Sequence, residues 1–337
     1  MFGCWTTCKS GSHRDTLGRI EIIFGLKCAT GTEKDFHLKN ISILTGADDS
    51  HFDYLSAMLE SVKFFNDLEL PVYIADFGLS DENKKKINEI YPTSKIVSYN
   101  AIEIDIEKIK NHQKAAEIPW IDYVTKTMRK LGIEEFSESR YFLWLDGDTL
   151  MLRPISEWLP EPVPDGLIAN RNSKQELAKL FRHRNDSLRE ELAAALLEKI
   201  NQSHYTPISF NSGVMLADAK FYRRMVEYAR NNFLHDFGPF LMGDQSVINA
   251  SMALNNIPAT DMSNTINFSP SVDRESYVEE CFLVARNEHF RSIRFGRAFY
   301  PSVLHFLGIK PLTHNNREDP AVLVYEWWRD RARKGFS

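Results

Sequence analysis

From Ile41 onward the chain alternates short apolar runs with longer amphipathic stretches. Ile41-Ser-Ile-Leu44 reads as a first strand. Phe52 to Phe65 follows with Leu55, Met58, Leu59 and Val62 at helical spacing. Leu70 to Ala75 and Lys95 to Ser98 read as two more strands. Between them lies a Lys-rich helix that Ser80 is suited to cap. Trp120 to Leu131 has helical character. Tyr141-Phe-Leu-Trp-Leu145 is an uninterrupted apolar run, the mark of a strand buried on both faces in the middle of a sheet.

Further strands are expected at 165–169, 210–216 and from Ser302 to the Gly/Pro-rich loop around Pro311. Helices are expected at 173–200, 220–231 and from Gly243 onward. Alternating strands and helices predict a mostly parallel central sheet flanked by helices. The expected organisation is an N-terminal arm or extra strand over 1–40 and a single α/β domain over 41–312. A helical insert at 173–200 interrupts that domain, and an aromatic and basic tail covers 313–337.

The apolar run at Tyr141 leads into Asp146-Gly147-Asp148. In extended backbone, side chains two apart share a face. Two carboxylates forced together repel unless a cation lies between them, and carboxylate oxygens suit Mn2+ or Mg2+. Asp-Gly-Asp also occurs in plain surface turns; the buried strand in front favours the metal. The Thr45-Gly-Ala47-Asp48-Asp49 turn follows the first strand without a glycine-rich phosphate loop. That argues against a dinucleotide or P-loop site. Asp48 and Asp49 suit either a helix cap or contacts to a base or ribose.

Across 337 residues, 43% hydrophobic and 26% charged, the composition is that of an ordinary globular protein. A net charge of -5 gives no reason to expect nucleic acid as a partner. No run is apolar enough to span a membrane. Cys4, Cys8, Cys28 and Cys281 do not form a disulfide framework, and Cys4, Cys8 and His13 lack a fourth ligand for zinc. These features fit a cytoplasmic setting. The tail, with Tyr325, Trp327, Trp328, Arg329, Arg331 and Arg333, supports two readings: peripheral contact with an anionic membrane through 325–337, or a terminal helix docked on the core.

Four motifs stand in order: Asp146-Gly-Asp148, Phe210-Asn211-Ser-Gly-Val-Met-Leu216, Gly243-Asp244-Gln245-Ser246, and His305-Phe-Leu-Gly308-Ile-Lys310-Pro311. Together they resemble the retaining GT-A glycosyltransferases of family 8, over about Ile41 to Leu312. The resemblance implies a GT-A, Rossmann-like fold and transfer of a hexose from a UDP-sugar to a glycan or glycoconjugate acceptor. It implies Asp146, Asp148 and His305 as ligands of Mn2+ or Mg2+. It places Lys310 and Gly308 at the leaving phosphate, and Thr45, Ala47 and Asp48 at the uracil. Arg129, with Lys126 in reserve, would contact the donor. Asn211, Asp244 and Gln245 would line the sugar, and Gly147 would allow close approach. The His–Lys loop is one residue shorter than in many members, and Leu312 replaces an aromatic. Other functions weighed are an inactive UDP-sugar-binding protein and a sugar-1-phosphate nucleotidyltransferase. Neither sugar, acceptor nor oligomeric state is legible.

Overall fold

The computed structural model describes residues 20–22, 40–66, 70–98, 107, 111, 121–160, 163, 165–176, 194, 196, 198–199, 208–234, 243–257, 259–262, 266–269, 282–287, 290–295, 301–307, 310–313 and 320–335. All four cysteines, His13 and Gly308 lie outside them.

The apolar runs become strands of a seven-stranded sheet. In chain order these are β2 (Ile41–Ala47), β3 (Val72–Asp76), β4 (Lys95–Val97), β5 (Tyr141–Leu145), β7 (Leu167–Glu176), β8 (Ile208–Asp218) and β9 (Thr260–Asp261). Their spatial order is β4-β3-β2-β5-β8-β7-β9. Pairings run parallel from β4 across to β5, and β8 alone runs against its neighbours β5 and β7. The sheet is therefore mostly parallel, as the alternating pattern predicts. β5 is buried at all five positions because it lies between β2 and β8 with a core cluster on each face.

One core holds Leu44, Phe142, Trp144 and Met215 against helices α4 (Ala219–Asn232) and α5 (Asp244–Leu254). The other holds Ile43, Leu143 and Val214 against α1 (Phe52–Asn66) and α2 (Asp81–Ile90). Ser80 caps α2, accepting from the Asn83 amide, as expected. α3 (Ile121–Met128) precedes β5.

A two-stranded ribbon crosses the mouth of the sheet: β6 (Thr149–Met151) pairs antiparallel with β12 (Val303–His305), placing His305 opposite Thr149. β1 (Ile20–Ile22), β10 (Phe282–Asn287) and β11 (Phe290–Phe295) form a separate three-stranded sheet, so part of the N-terminal region is strand.

One expectation changes. β7 continues through Glu176, so the helix expected from Ser173 does not include its first four residues. Of the remainder, Ala194, Leu196, Glu198 and Lys199 are described and are helical. The tail forms α6 (Pro320–Lys334) against α1. Tyr325 and Trp328 are buried, Arg331 pairs with Glu60 at 2.7 Å, and Arg333 pairs with Asp53 at 2.7 Å. Its aromatic side is committed to the core, which is the docked-helix alternative. Among the described residues no helix is long and apolar enough to cross a membrane.

In the link between α3 and β5, Glu134 is 0% exposed. Burial, helped by the Glu135 charge, pushes its carboxyl from 4.5 up to about 7, with Arg230 and Arg223 opposing. The folded protein thus keeps a proton that the unfolded chain releases. This contribution is complete below the unfolded value, is lost as pH rises from about 4.5 to about 7, and is constant above. Glu134→Gln should leave stability near pH 4 little changed and raise it near pH 8 by up to about 3 kcal/mol, measured by urea unfolding.

Candidate active site

The site forms where β5 ends. β8 runs antiparallel to β5, with Leu145 opposite Val214, so its polar start lies beside Asp146. The Asp146 amide donates to the Gly213 carbonyl at 2.8 Å. The Asp146–Asp148 segment is a turn rather than extended strand. The Thr149 amide and hydroxyl both donate to the Asp146 carbonyl, at 3.0 and 2.8 Å. The carboxylates therefore converge by turning, not by strand alternation. Gly147 has a non-positive φ, and a Cβ there would meet only ordinary contacts, at 3.6 Å and beyond. Neither conformation nor packing demands glycine at that position.

His305 reaches the pair from β12. Its Nε2 lies 3.7 Å from Asp146 Oδ2 and 3.6 Å from Asp148 Oδ1, and the three ligand atoms lie within 4.8 Å of one another. The imidazole is 1% exposed and packs closely against Gly213. A Cβ on Gly213 would stand 1.9 Å from His305 Cε1, so only glycine leaves room for the ring. Burial lowers the imidazole's affinity for a proton, with the two carboxylates opposing. A neutral ring nitrogen thus faces two carboxylate oxygens.

Each carboxylate divides its oxygens. Asp146 Oδ1 accepts from Trp144 Nε1 at 2.7 Å and meets Lys130 Nζ at 2.6 Å. Asp148 Oδ2 is bonded to Lys310. Asp146 Oδ2 and Asp148 Oδ1 are left to face His305. Two ligands about 2.1 Å from a shared Mg2+ can be at most about 4.2 Å apart. The His305 separations fall inside that limit, and carboxylate oxygens with imidazole nitrogen suit Mn2+ or Mg2+. The donor set thus has the chemistry of a divalent-ion site, with the three ligand atoms gathered within 4.8 Å.

Lys130 is the residue that pattern reading missed. Its ammonium lies between Asp146 and Asp244, 3.0 Å from Asp244 Oδ2, and 4.8 Å from the centre of the Trp144 ring. Its side chain is 8% exposed. Burial alone would lower its affinity for a proton, but the two carboxylates outweigh that and hold it firmly cationic. Asp146 is correspondingly lowered: burial opposes, and Lys130, His305 and Trp144 prevail. Burial and the Asp146 charge raise Asp244, with Lys130 opposing. Lys310 is also raised, because Asp148 outweighs burial.

Three basic residues stand close together at this end of α3. Lys126 pairs with Asp48 at 2.7 Å, Arg129 is half-buried, and Lys130 reaches the acids. Lys126 and Lys130 are four apart, a spacing that puts both on one side of a helical turn. That spacing is the signal the sequence carries for Lys130.

Asp48 caps the short turn at Asp49–His51. Burial would raise it, but hydrogen bonds from Lys126, Ser50 and His51 outweigh burial and hold it well below the usual carboxylate range. Thr45 is fully buried and Ala47 is 2% exposed. By strand alternation Thr45 shares the α1 side of β2 with Ile43 and Ala47, so its side chain does not open onto the mouth. Asp244 begins α5 after Gly243, whose φ of +85° and proximity to Thr127 both require glycine. Asn211 and the Ser212 amide donate to Gln245 Oε1 at 3.4 and 3.3 Å, which joins the start of β8 to α5. Lys310 reaches Asp148 despite the shortened loop. There the Leu312 amide donates to Tyr54 Oη at 3.2 Å.

No protein-family model and no curated protein sequence matches this chain. Solved structures do. The galactosyltransferase LgtC in complex with donor and acceptor sugar analogs matches with a TM-score of 0.57 at 17% identity, covering 87% of this chain and 95% of that one. An active-site mutant of LgtC matches at 0.55 and 18% identity, covering 85% and 94%. The apo bifunctional glycosyltransferase WbbM matches at 0.53 and 13% identity, covering 88% of this chain and 51% of that one. At these identities the likeness establishes a shared fold, GT-A.

The Gly213–His305 contact is directly testable. Gly213→Ala should expel the imidazole and weaken Mn2+ binding by at least about tenfold, measured by calorimetric titration, with circular dichroism reporting the fold.

Proposed function

We propose that this protein is a metal-dependent, retaining glycosyltransferase of the family 8 type. It moves a hexose from a UDP-sugar to a hydroxyl of an acceptor glycan or glycoconjugate. The observation that carries this reading is the convergence of Asp146 Oδ2, Asp148 Oδ1 and His305 Nε2 at the carboxyl end of β5. Open α/β sheets bind ligands at that end.

Asp146, Asp148 and His305 would hold Mn2+ or Mg2+. When bound, the ion supplies positive charge to the diphosphate leaving group. Lys310 adds an ammonium beside Asp148, so a diphosphate brought to the acid pair meets a fixed cation. Gly308, two residues before Lys310 in the sequence, is proposed to contact that phosphate. Asp48 and Ala47, at the end of β2, are proposed to meet the uracil.

Lys130 holds Asp146 and Asp244 together without mutual repulsion, keeping the acids in place before substrate arrives. Asn211, Asp244 and Gln245 would line the sugar. Asp244 Oδ2 is paired with Lys130, and Gln245 Oε1 accepts two hydrogen bonds. Gln245, a neutral amide, is a poor nucleophile, which favours a front-face route. The bond from the anomeric carbon to the phosphate oxygen breaks, and the acceptor oxygen bonds to the same face. The acceptor proton passes to the departing phosphate.

Asp148→Asn removes a ligand and the Lys310 partner together. It should cut UDP-sugar turnover about a hundredfold or more, near 3 kcal/mol, in an assay of UDP-hexoses with Mn2+. Undiminished turnover in EDTA would sink the metal assignment. UDP should raise the melting temperature only when Mn2+ or Mg2+ is present. An equal rise with GDP or CMP would reject uridine as the base.

A further inference from the structure

We infer that Asn267 is a positioning residue that orients His305 toward the acid pair and links the metal side of the site to its sugar side. The inference rests on the metal reading proposed above. Asn267 lies outside every motif that marked the site in the sequence. It is 4% exposed and sits where the chain briefly joins β12: the Phe268 amide donates to the Val303 carbonyl, and the His305 amide to the Phe268 carbonyl. Its own carbonyl accepts from Asn170 Nδ2 at 3.0 Å. The backbone is thus fixed before the side chain acts.

The directions of the side-chain hydrogen bonds follow from two backbone amides, which can only donate. The Gly213 amide donates to Asn211 at 2.9 Å, so the accepting atom is the Asn211 oxygen. The Asn267 atom 3.0 Å from that oxygen must then be its NH2 group. This turns the Asn267 oxygen toward His305 Nδ1, 3.2 Å away, and Nδ1 carries the ring proton. Nε2 is left bare and faces Asp146 and Asp148.

The second amide fixes the other end. Ser212 N–H donates to Gln245 at 3.3 Å, so the accepting atom there is Oε1. Asn211 Nδ2 donates to the same oxygen at 3.4 Å. Gln245 therefore presents its NH2 group as a donor. One continuous relay, Gln245–Asn211–Asn267–His305, sets a bare nitrogen at one end and a hydrogen-bond donor at the other. Both Gly213 and Ser212 belong to β8, so the strand that meets β5 antiparallel also imposes the protonation pattern.

Asn267→Leu removes the acceptor for His305 Nδ1 and the donor to Asn211. Asn267→Asp keeps the acceptor and loses only the donor. Mn2+ binding to the full chain, followed by electron paramagnetic resonance of the free ion, should weaken about ten- to a hundredfold in the Leu variant. It should stay near the native value or tighten in the Asp variant. Nitrogen NMR of histidine-labelled, metal-free protein at mildly alkaline pH gives a readout that needs no metal. His305 should be protonated on Nδ1 in the native and Asp proteins, and on both nitrogens in exchange in the Leu variant.

If the Leu variant does not fold, Asn267→Ser serves the same purpose, being small and too short to reach the ring. A Leu or Ser variant with native Mn2+ affinity and the native tautomer overturns the inference, as does a native protein protonated on Nε2. His305→Ala separates the two levels. If its Mn2+ affinity is unchanged, the metal reading fails, while the NMR result still decides the relay.

Discussion

Three lone pairs aimed at one point with no proton between them are the constraint around which the mouth of this sheet is built. His305 Nε2 faces Asp146 Oδ2 and Asp148 Oδ1 at distances too long for hydrogen bonds. Without a positive charge between them the arrangement is repulsive. The surroundings hold it in place: Trp144 and Lys130 grip one acid, Lys310 grips the other, and Gly213 gives the imidazole room.

The reversed direction of β8 makes this economical. A seventh parallel strand would bring its carboxyl end to the mouth. An antiparallel strand brings its start instead, and here that start is Phe210-Asn211-Ser212-Gly213. The Gly213 carbonyl receives the Asp146 amide, its missing side chain admits His305, and its amide orders Asn211. Asn249 of α5 secures the same start, accepting from the Phe210 amide and donating to the Phe210 carbonyl.

The terminal helix contributes from behind. Tyr325 packs against Tyr54, with ring centres 5.1 Å apart, and Tyr54 Oη holds the Leu312 amide next to the Lys310 loop. A segment that could be taken for a surface appendage thereby braces the loop that carries a charged site residue. Trp328 and Tyr325 are buried against α1.

Periodicity by itself marked β2, β3, β4, β5, β7, β8 and β12, most of the helices and the mostly parallel sheet, because burial on one or two faces leaves a direct trace in apolar spacing; the short or edge strands β6, β9, β10 and β11 left none. Motif order pointed to Asp146, Asp148 and His305, whose chemistry narrows their uses. Lys130 left only its four-residue spacing from Lys126, and Asn267 left no trace. A lysine near a helix end is ordinarily solvated and an isolated asparagine ordinarily lies in a turn; each owes its place to partners far along the chain. Thr45 shows the complementary case: strand alternation turns its side chain to the buried α1 side of β2. Local residue types fix which groups are available, while only the assembled sheet decides which of them meet, because hydrogen bonds and ion pairs depend on distances that sequence separation does not encode.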